Sequence, residues 1–212
     1  MKPSQEYHDL IDSYKVLHQE EGKFKGISLV PLVPTLMSLV KENNCKTLLD
    51  YGCGKAIPYD KDRCKEVDLR HPIQKLCNLK SFDLYDPAYE KYATLPNKKY
   101  DIVVCTDVLE HIAEQDIDYV LTEILSHSKK IVFLNISCQP ALKHFKEGKF
   151  KGKNVHISVF DPSWWGHKIG NIWNKFNHLK YIRYVKLKKE HMLRVLKRRK
   201  NNGTNCTNST CY

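Results

Sequence analysis

The segment TLLDYGCGKA, residues 47–56, decides how the chain is read. Thr47, Leu48 and Leu49 form a short apolar run, Asp50 closes it, and Gly52 and Gly54 follow in a tight turn. A buried strand that ends by presenting an acid and a turn without side chains has this pattern. At the carboxyl edge of an open α/β sheet, such a turn lets a ligand approach the backbone. The third spaced glycine of a dinucleotide turn is missing, because Ile57 takes its place and Pro58 follows. Asp50 would also repel a pyrophosphate, whereas it suits a ligand bearing an ammonium or sulfonium group. A nicotinamide-dependent oxidoreductase is therefore disfavoured.

Outward from this segment the chain alternates between strand and helix patterns. Residues 81–85, 100–105 and 130–135 read as strands, the last two as the continuous apolar runs of a sheet covered on both faces. Between these two, Ile117, Val120, Leu121, Ile124 and Leu125 recur at helical spacing, which makes a strand, helix, strand unit. An amphipathic helix over residues 4–20 starts behind Ser4 and carries Tyr7, Leu10, Ile11, Tyr14 and Leu17. A second helix carries Leu32, Leu36, Leu39 and Val40, a third follows the glycine turn, and a fourth beyond Asp161 carries Trp164, Trp165, Ile169, Ile172 and Trp173. KYIRYVKL and HMLRVL, residues 180–187 and 191–196, are strand-like.

These motifs together resemble the class I S-adenosylmethionine-dependent methyltransferases. Leu49, Asp50, Gly52 and Gly54 fit the first motif of that family, with Ala56 in place of its last glycine. The resemblance continues through SFDLYDP (81–87) and KYDIVVCTDVLEHI (99–112), covers roughly residues 20–165, and is nearest to short bacterial and phage methyltransferase-domain proteins. It implies an α/β, Rossmann-like, doubly wound, mainly parallel sheet of seven strands, with helices on both faces and an antiparallel C-terminal strand. The expected organisation is N-terminal helices packed on the core (1–45), the methyltransferase domain (46–196), and a basic run with a polar tail (197–212).

By the same resemblance, Asp50, Gly52 and Gly54 hold S-adenosylmethionine, and a second-strand acid holds the ribose hydroxyls. Asp86 in FDLYDP is preferred for that acid, with Asp68 in KEVDLRHP as the alternative. Thr106 and Asp107 are expected beside the methionine part of the cofactor, with Glu110 and His111 reaching the acceptor and His111 as its base, since an ordinary imidazole titrates near neutrality. Asp107, Glu110, His111 and the distant His156 also resemble the magnesium set of certain RNA and quinone O-methyltransferases. A divalent metal is the less expected reading, because Asp107 stands where those enzymes have Glu; otherwise His156 hydrogen-bonds in its loop and shapes the acceptor pocket. Trp164 and Trp165 read as packing residues or as a platform for a planar substrate.

Composition bounds the remaining choices. The 212 residues carry 35 Lys and Arg against 24 Asp and Glu, and residues 129–200 alone hold 19 basic and 3 acidic side chains. That split suggests an anionic acceptor, a small molecule or RNA. It also supports the alternative of a non-catalytic, methyltransferase-like module that grips nucleic acid through KYIRYVKLKK and KRRK. The eight cysteines show no C-x-x-C pair, the N-terminal MKPSQEYHDL is polar, and the longest apolar stretch is too short to span a bilayer. The expectation is a bacterial or phage-infected host cytoplasm and no membrane span, with oligomeric state left open. The three N-x-S/T sequons at Asn202, Asn205 and Asn208 belong to the polar tail.

Overall fold

The computed structural model describes residues 1–20, 22–176, 178–179, 181–187 and 191–197, the last two stretches by their backbone. The strands are β1 (Thr47–Tyr51), β2 (Ser81–Tyr85), β3 (Tyr100–Thr106), β4 (Ser128–Ser137), β5 (Tyr181–Leu187) and β6 (His191–Lys197). The helices are α1 (Gln5–Gln19), α2 (Val33–Glu42), the single turn α3 (Ile73–Leu76), α4 (Ile117–Ser126) and α5 (Pro162–Trp173). The sheet order is β2-β1-β3-β4-β5-β6; neighbours from β2 through β5 are parallel, and β6 runs antiparallel to β5. Among the described residues the sheet has six strands rather than the expected seven.

The continuous apolar runs follow from two cores fed by alternate residues of the same strands. Leu48, Ile102, Val104, Ile131 and Phe133 pack towards α2 and the turns around residues 57–77. Leu49, Val103, Cys105, Val132 and Leu134 face α4 and α5. Because successive side chains leave a strand on opposite faces, a strand covered on both sides must be apolar throughout. The α4 stripe is fully buried, and α5 starts at Asp161, whose side chain accepts the N–H groups of Ser163 and Trp164. Trp165 is core, while Trp164 stacks on Phe160 at 3.9 Å, so the pair packs the fold and neither ring lines the cavity described below.

Two connections depart from the expected helix layer. The glycine turn after β1 leads into a 3₁₀ turn, Ile57–Tyr59, because Ala56 adopts a left-handed φ of 52° and Pro58 follows at once. Between β2 and β3 the only regular element is another 3₁₀ turn, Glu90–Tyr92. The chain leaves β2, passes beyond β1 and enters β3 on its other side, so a crevice opens between the carboxyl ends of β1 and β3.

Helix α1 lies across that crevice. Its N-cap Ser4 accepts the Tyr7 N–H, and Ser4 is itself held by Asp116, which takes the Ser4 N–H at 2.7 Å and its hydroxyl at 2.6 Å. Tyr7 enters the core beside α4, whereas Leu10 and Tyr14 pack with Phe145, Phe150 and Val155. The basic run Arg198–Lys200, the sequons and the rest of the tail lie outside the described residues, as do Lys180, Lys188 and Lys189 of the segment expected to grip nucleic acid. Among the described residues no helix is long and apolar enough to cross a membrane. Replacing Asp116 with Ala leaves two donors of Ser4 without their acceptor and is expected to lower unfolding stability by about 1–3 kcal/mol. Amide exchange should quicken selectively in residues 5–19, and an unchanged exchange pattern would show that Asp116 does not anchor α1.

Candidate active site

A cavity of about 720 Å³ fills the crevice, within the range of small-molecule sites. Its floor is the carboxyl edge of the sheet, with Asp50 near the end of β1, Gly52 and Gly54 just beyond it, Asp86 after β2, and Thr106 and Asp107 at the end of β3. Its cover is α1, the 22–28 loop and the 141–156 loop. All six residues expected to hold a cofactor therefore line one cavity, and His111 and His156 join them. Asp68 does not: it is exposed in a left-handed turn away from the cavity, whereas Asp86 follows β2 directly and lines it.

Glycine is required at the turn by packing as well as by φ. Gly52 has a φ of 84°, and a Cβ there would run into the Val108 side chain. At Gly54 a Cβ would strike the Phe24 carbonyl, and at Gly26, in the covering loop, it would strike the Cys53 carbonyl. The two loops thus meet backbone to backbone, through Lys55 N–H to Phe24 C=O at 2.7 Å and Ile57 N–H to Lys25 C=O at 3.1 Å. The turn is also tied to β2, since Gly52 and Cys53 both donate to the Tyr85 carbonyl and Gly54 N–H donates to Asp86 Oδ2 at 2.8 Å.

Of the floor acids, Asp50 and Asp86 are buried and Asp107 is half-buried. Asp50 is 3% exposed and its Oδ1 has no hydrogen-bond partner. Burial, with a smaller contribution from the nearby Asp86, pushes its pKa from 3.8 to about 7, against the easing effect of the Tyr59 hydroxyl. Asp86 is raised by burial, opposed by His18 and by the N–H groups of Ala88 and Gly54. His18 comes from α1, with Nε2 3.9 Å from Asp86 Oδ1 and its ring stacked on Phe24 at 4.5 Å. Asp107, at a left-handed φ of 54°, accepts the Ser28 hydroxyl and donates its own N–H to Asn135.

Two expectations are corrected here. Glu110 does not reach the acceptor side: it is fully buried, accepts the Ser137 N–H at 2.8 Å, and is absent from the cavity wall. Burial first, and then the nearby Asp107, raise its pKa well above the ordinary range. His111 is not a base near neutrality, because burial pushes its pKa down to about 3, with help from His156 and Lys143. Its Nδ1–H donates to the Val155 carbonyl at 2.8 Å, which leaves Nε2 as a hydrogen-bond acceptor. His156 stands edge-on to it at 4.9 Å and donates its own Nδ1–H to the Gln139 carbonyl at 2.6 Å.

The four residues of the metal set are not gathered, because Glu110 is turned into the core; the two imidazoles, with Nδ1–H on backbone carbonyls, keep their Nε2 lone pairs free. Among the described residues no group of three or more His, Cys, Asp or Glu side chains is arranged to hold a metal ion. Sequence reasoning missed the contribution of the cover, namely Tyr14, His18, Phe24, Ser28 and Lys143. The available signal was the α1 stripe, which continues by one helical turn from Tyr14 to His18.

Asp50 binds its proton more tightly in the folded chain than in the unfolded one, so its contribution to stability is complete below about pH 4 and is lost as pH rises towards 7. In urea titrations across that window, wild type should lose stability relative to Asp50→Asn; parallel curves would refute the raised pKa. No protein-family model matches the chain, and no curated protein sequence matches it.

Proposed function

We propose that the protein is an S-adenosylmethionine-dependent methyltransferase acting on a small acceptor. The observation that carries this reading is the gathering of Asp50, Gly52, Gly54 and Asp86 in one cavity at the switch between β1 and β3. The partnerless Asp50 Oδ1 suits an ammonium group, and a ligand that brings a positive charge stabilises the ionised form that burial opposes. Asp86 retains lone pairs for ribose hydroxyls beyond those taken by Gly54 and Ala88. The backbone of the glycine turn, bare of side chains, admits the ligand closely. In this reading the sheet is of the class I methyltransferase type, with the antiparallel β6 closing it.

When bound, the cofactor supplies an electrophilic methyl group on a sulfonium. The protein's own task is then alignment and exclusion of water. Thr106 and Asp107 face the reacting region from the end of β3, and Tyr14 closes it from α1, donating its hydroxyl to the Val155 carbonyl at 2.8 Å. His111 Nε2 accepts a hydrogen bond from an acceptor hydroxyl and orients it, while its low pKa makes it a weak proton acceptor. Cys53, Cys64, Cys77 and Cys105 are free thiols, which suits the cytoplasm.

Calorimetric titration with S-adenosylmethionine and S-adenosylhomocysteine tests the reading. Wild type should bind both, and Asp50→Ala and Asp86→Ala should each weaken binding by roughly tenfold or more. Absence of binding to wild type would overturn it. Ring-proton spectra of the protein should show no ionisation of His111 between about pH 5 and 8, and a titration in that range would refute its lowered pKa.

A further inference from the structure

The cavity is chemically two-ended. Asp50, Asp86 and Asp107 line the deep end, while Lys23, Lys25, Lys143 and Lys146 line the mouth. Among the described residues, Glu20 is the one carboxylate in the wall at that end, and it is shared by Lys146 at 3.2 Å and Lys23 at 3.8 Å. No carboxylate lies within ion-pair distance of Lys143 among the described residues. Lys143 is instead placed over the Phe24 ring at 6.0 Å, with Lys23 beside it lowering its pKa after burial. Like charges held together in this way raise the energy of the empty site, and an anionic ligand lowers it.

The backbone of Lys143 is held in place. Its carbonyl accepts the Val155 N–H at 3.1 Å, and the Val155 carbonyl in turn takes the His111 Nδ1–H and the Tyr14 hydroxyl. Asn154 locks the same loop by donating to the Ala141 carbonyl at 2.7 Å and accepting the Ala141 N–H at 3.0 Å. Lys143 is thereby fixed to the peptide that orients His111, and it is close enough to lower the His111 pKa. An acceptor resting against His111 Nε2 lies within the field of Lys143.

Resting on the methyltransferase reading for the word acceptor, we infer that Lys143 and Lys23 form a subsite for an oxyanion carried by a small acceptor, beside His111 and His156. An ammonium-bearing acceptor is disfavoured twice over: the lysines repel it, and His111 is too weak a base to take its proton. A polynucleotide is disfavoured because α1 and the 141–156 loop roof the cavity.

The test uses three small probes, sodium benzoate, inorganic phosphate and benzylamine, titrated calorimetrically into the full chain. The variants are Lys143→Met, Lys23→Met, Lys143→Arg and, as a charge-matched control on the same loop but outside the cavity, Lys151→Met. Benzoate or phosphate should bind wild type, whichever does so naming the carboxylate or phosphate class. That binding should fall roughly tenfold in Lys143→Met and in Lys23→Met and recover in Lys143→Arg, with Lys151→Met like wild type. Lack of binding by both anions, equal loss in Lys151→Met, or benzylamine binding as tightly as benzoate would overturn the inference. So would a short oligonucleotide competing for the site. S-adenosylhomocysteine titrated separately distinguishes the two readings, because its failure to bind would remove the methyltransferase proposal and leave the anion result standing.

Discussion

The arrangement depends on how closely two pieces of backbone approach at the exit of β1. Gly54 gives its N–H to Asp86, Gly52 and Cys53 give theirs to Tyr85, and the covering loop accepts across the other side. A side chain at position 26, 52 or 54 would separate surfaces that now touch, and with them the acids that line the floor. Helix α1, the loop after it and the sheet edge are thus one packed unit, and the cavity is the space this unit leaves.

Burying acids is expensive, and the three carboxyl groups meet the cost differently. Asp86 accepts two backbone N–H groups and has His18 nearby. Glu110 gives one oxygen to the Ser137 N–H, and burial raises its pKa. Asp50 and Glu110 each keep one oxygen without a hydrogen-bond partner, but Asp50 lines the cavity and Glu110 does not. An unsatisfied acid at a cavity wall is a candidate for ligand binding.

What could be read from the chain follows the range over which each signal acts. The runs of β1, β3 and β4 and the α4 stripe are local periodicities, and each lies within a few residues of its expected place. The turn at residues 52–54 was legible because two glycines and an acid in series have few uses. Asp86 against Asp68 could not be decided by spacing, since only the pairing of β2 with β1 brings Asp86 beside Gly54. Glu110 and His111 are adjacent in sequence, yet one turns into the core and the other lines the cavity; residue type foretold neither. The α1 stripe pointed to the face that carries His18, but its meeting with Asp86, sixty-eight residues on, is carried by no local pattern. The helix expected after the glycine turn failed for a local reason that was in view, Pro58 directly after Ile57.

The depth of the acids has a consequence for occupancy. Asp50 and Asp86 sit under a helix pinned at its start by Asp116 and meeting Asp86 through His18 near its end, while Leu142 and Lys146 stand exposed at the mouth. The acidic end and the lysine end belong to one cavity, so a molecule seated at either end changes the space and the field that the other end offers.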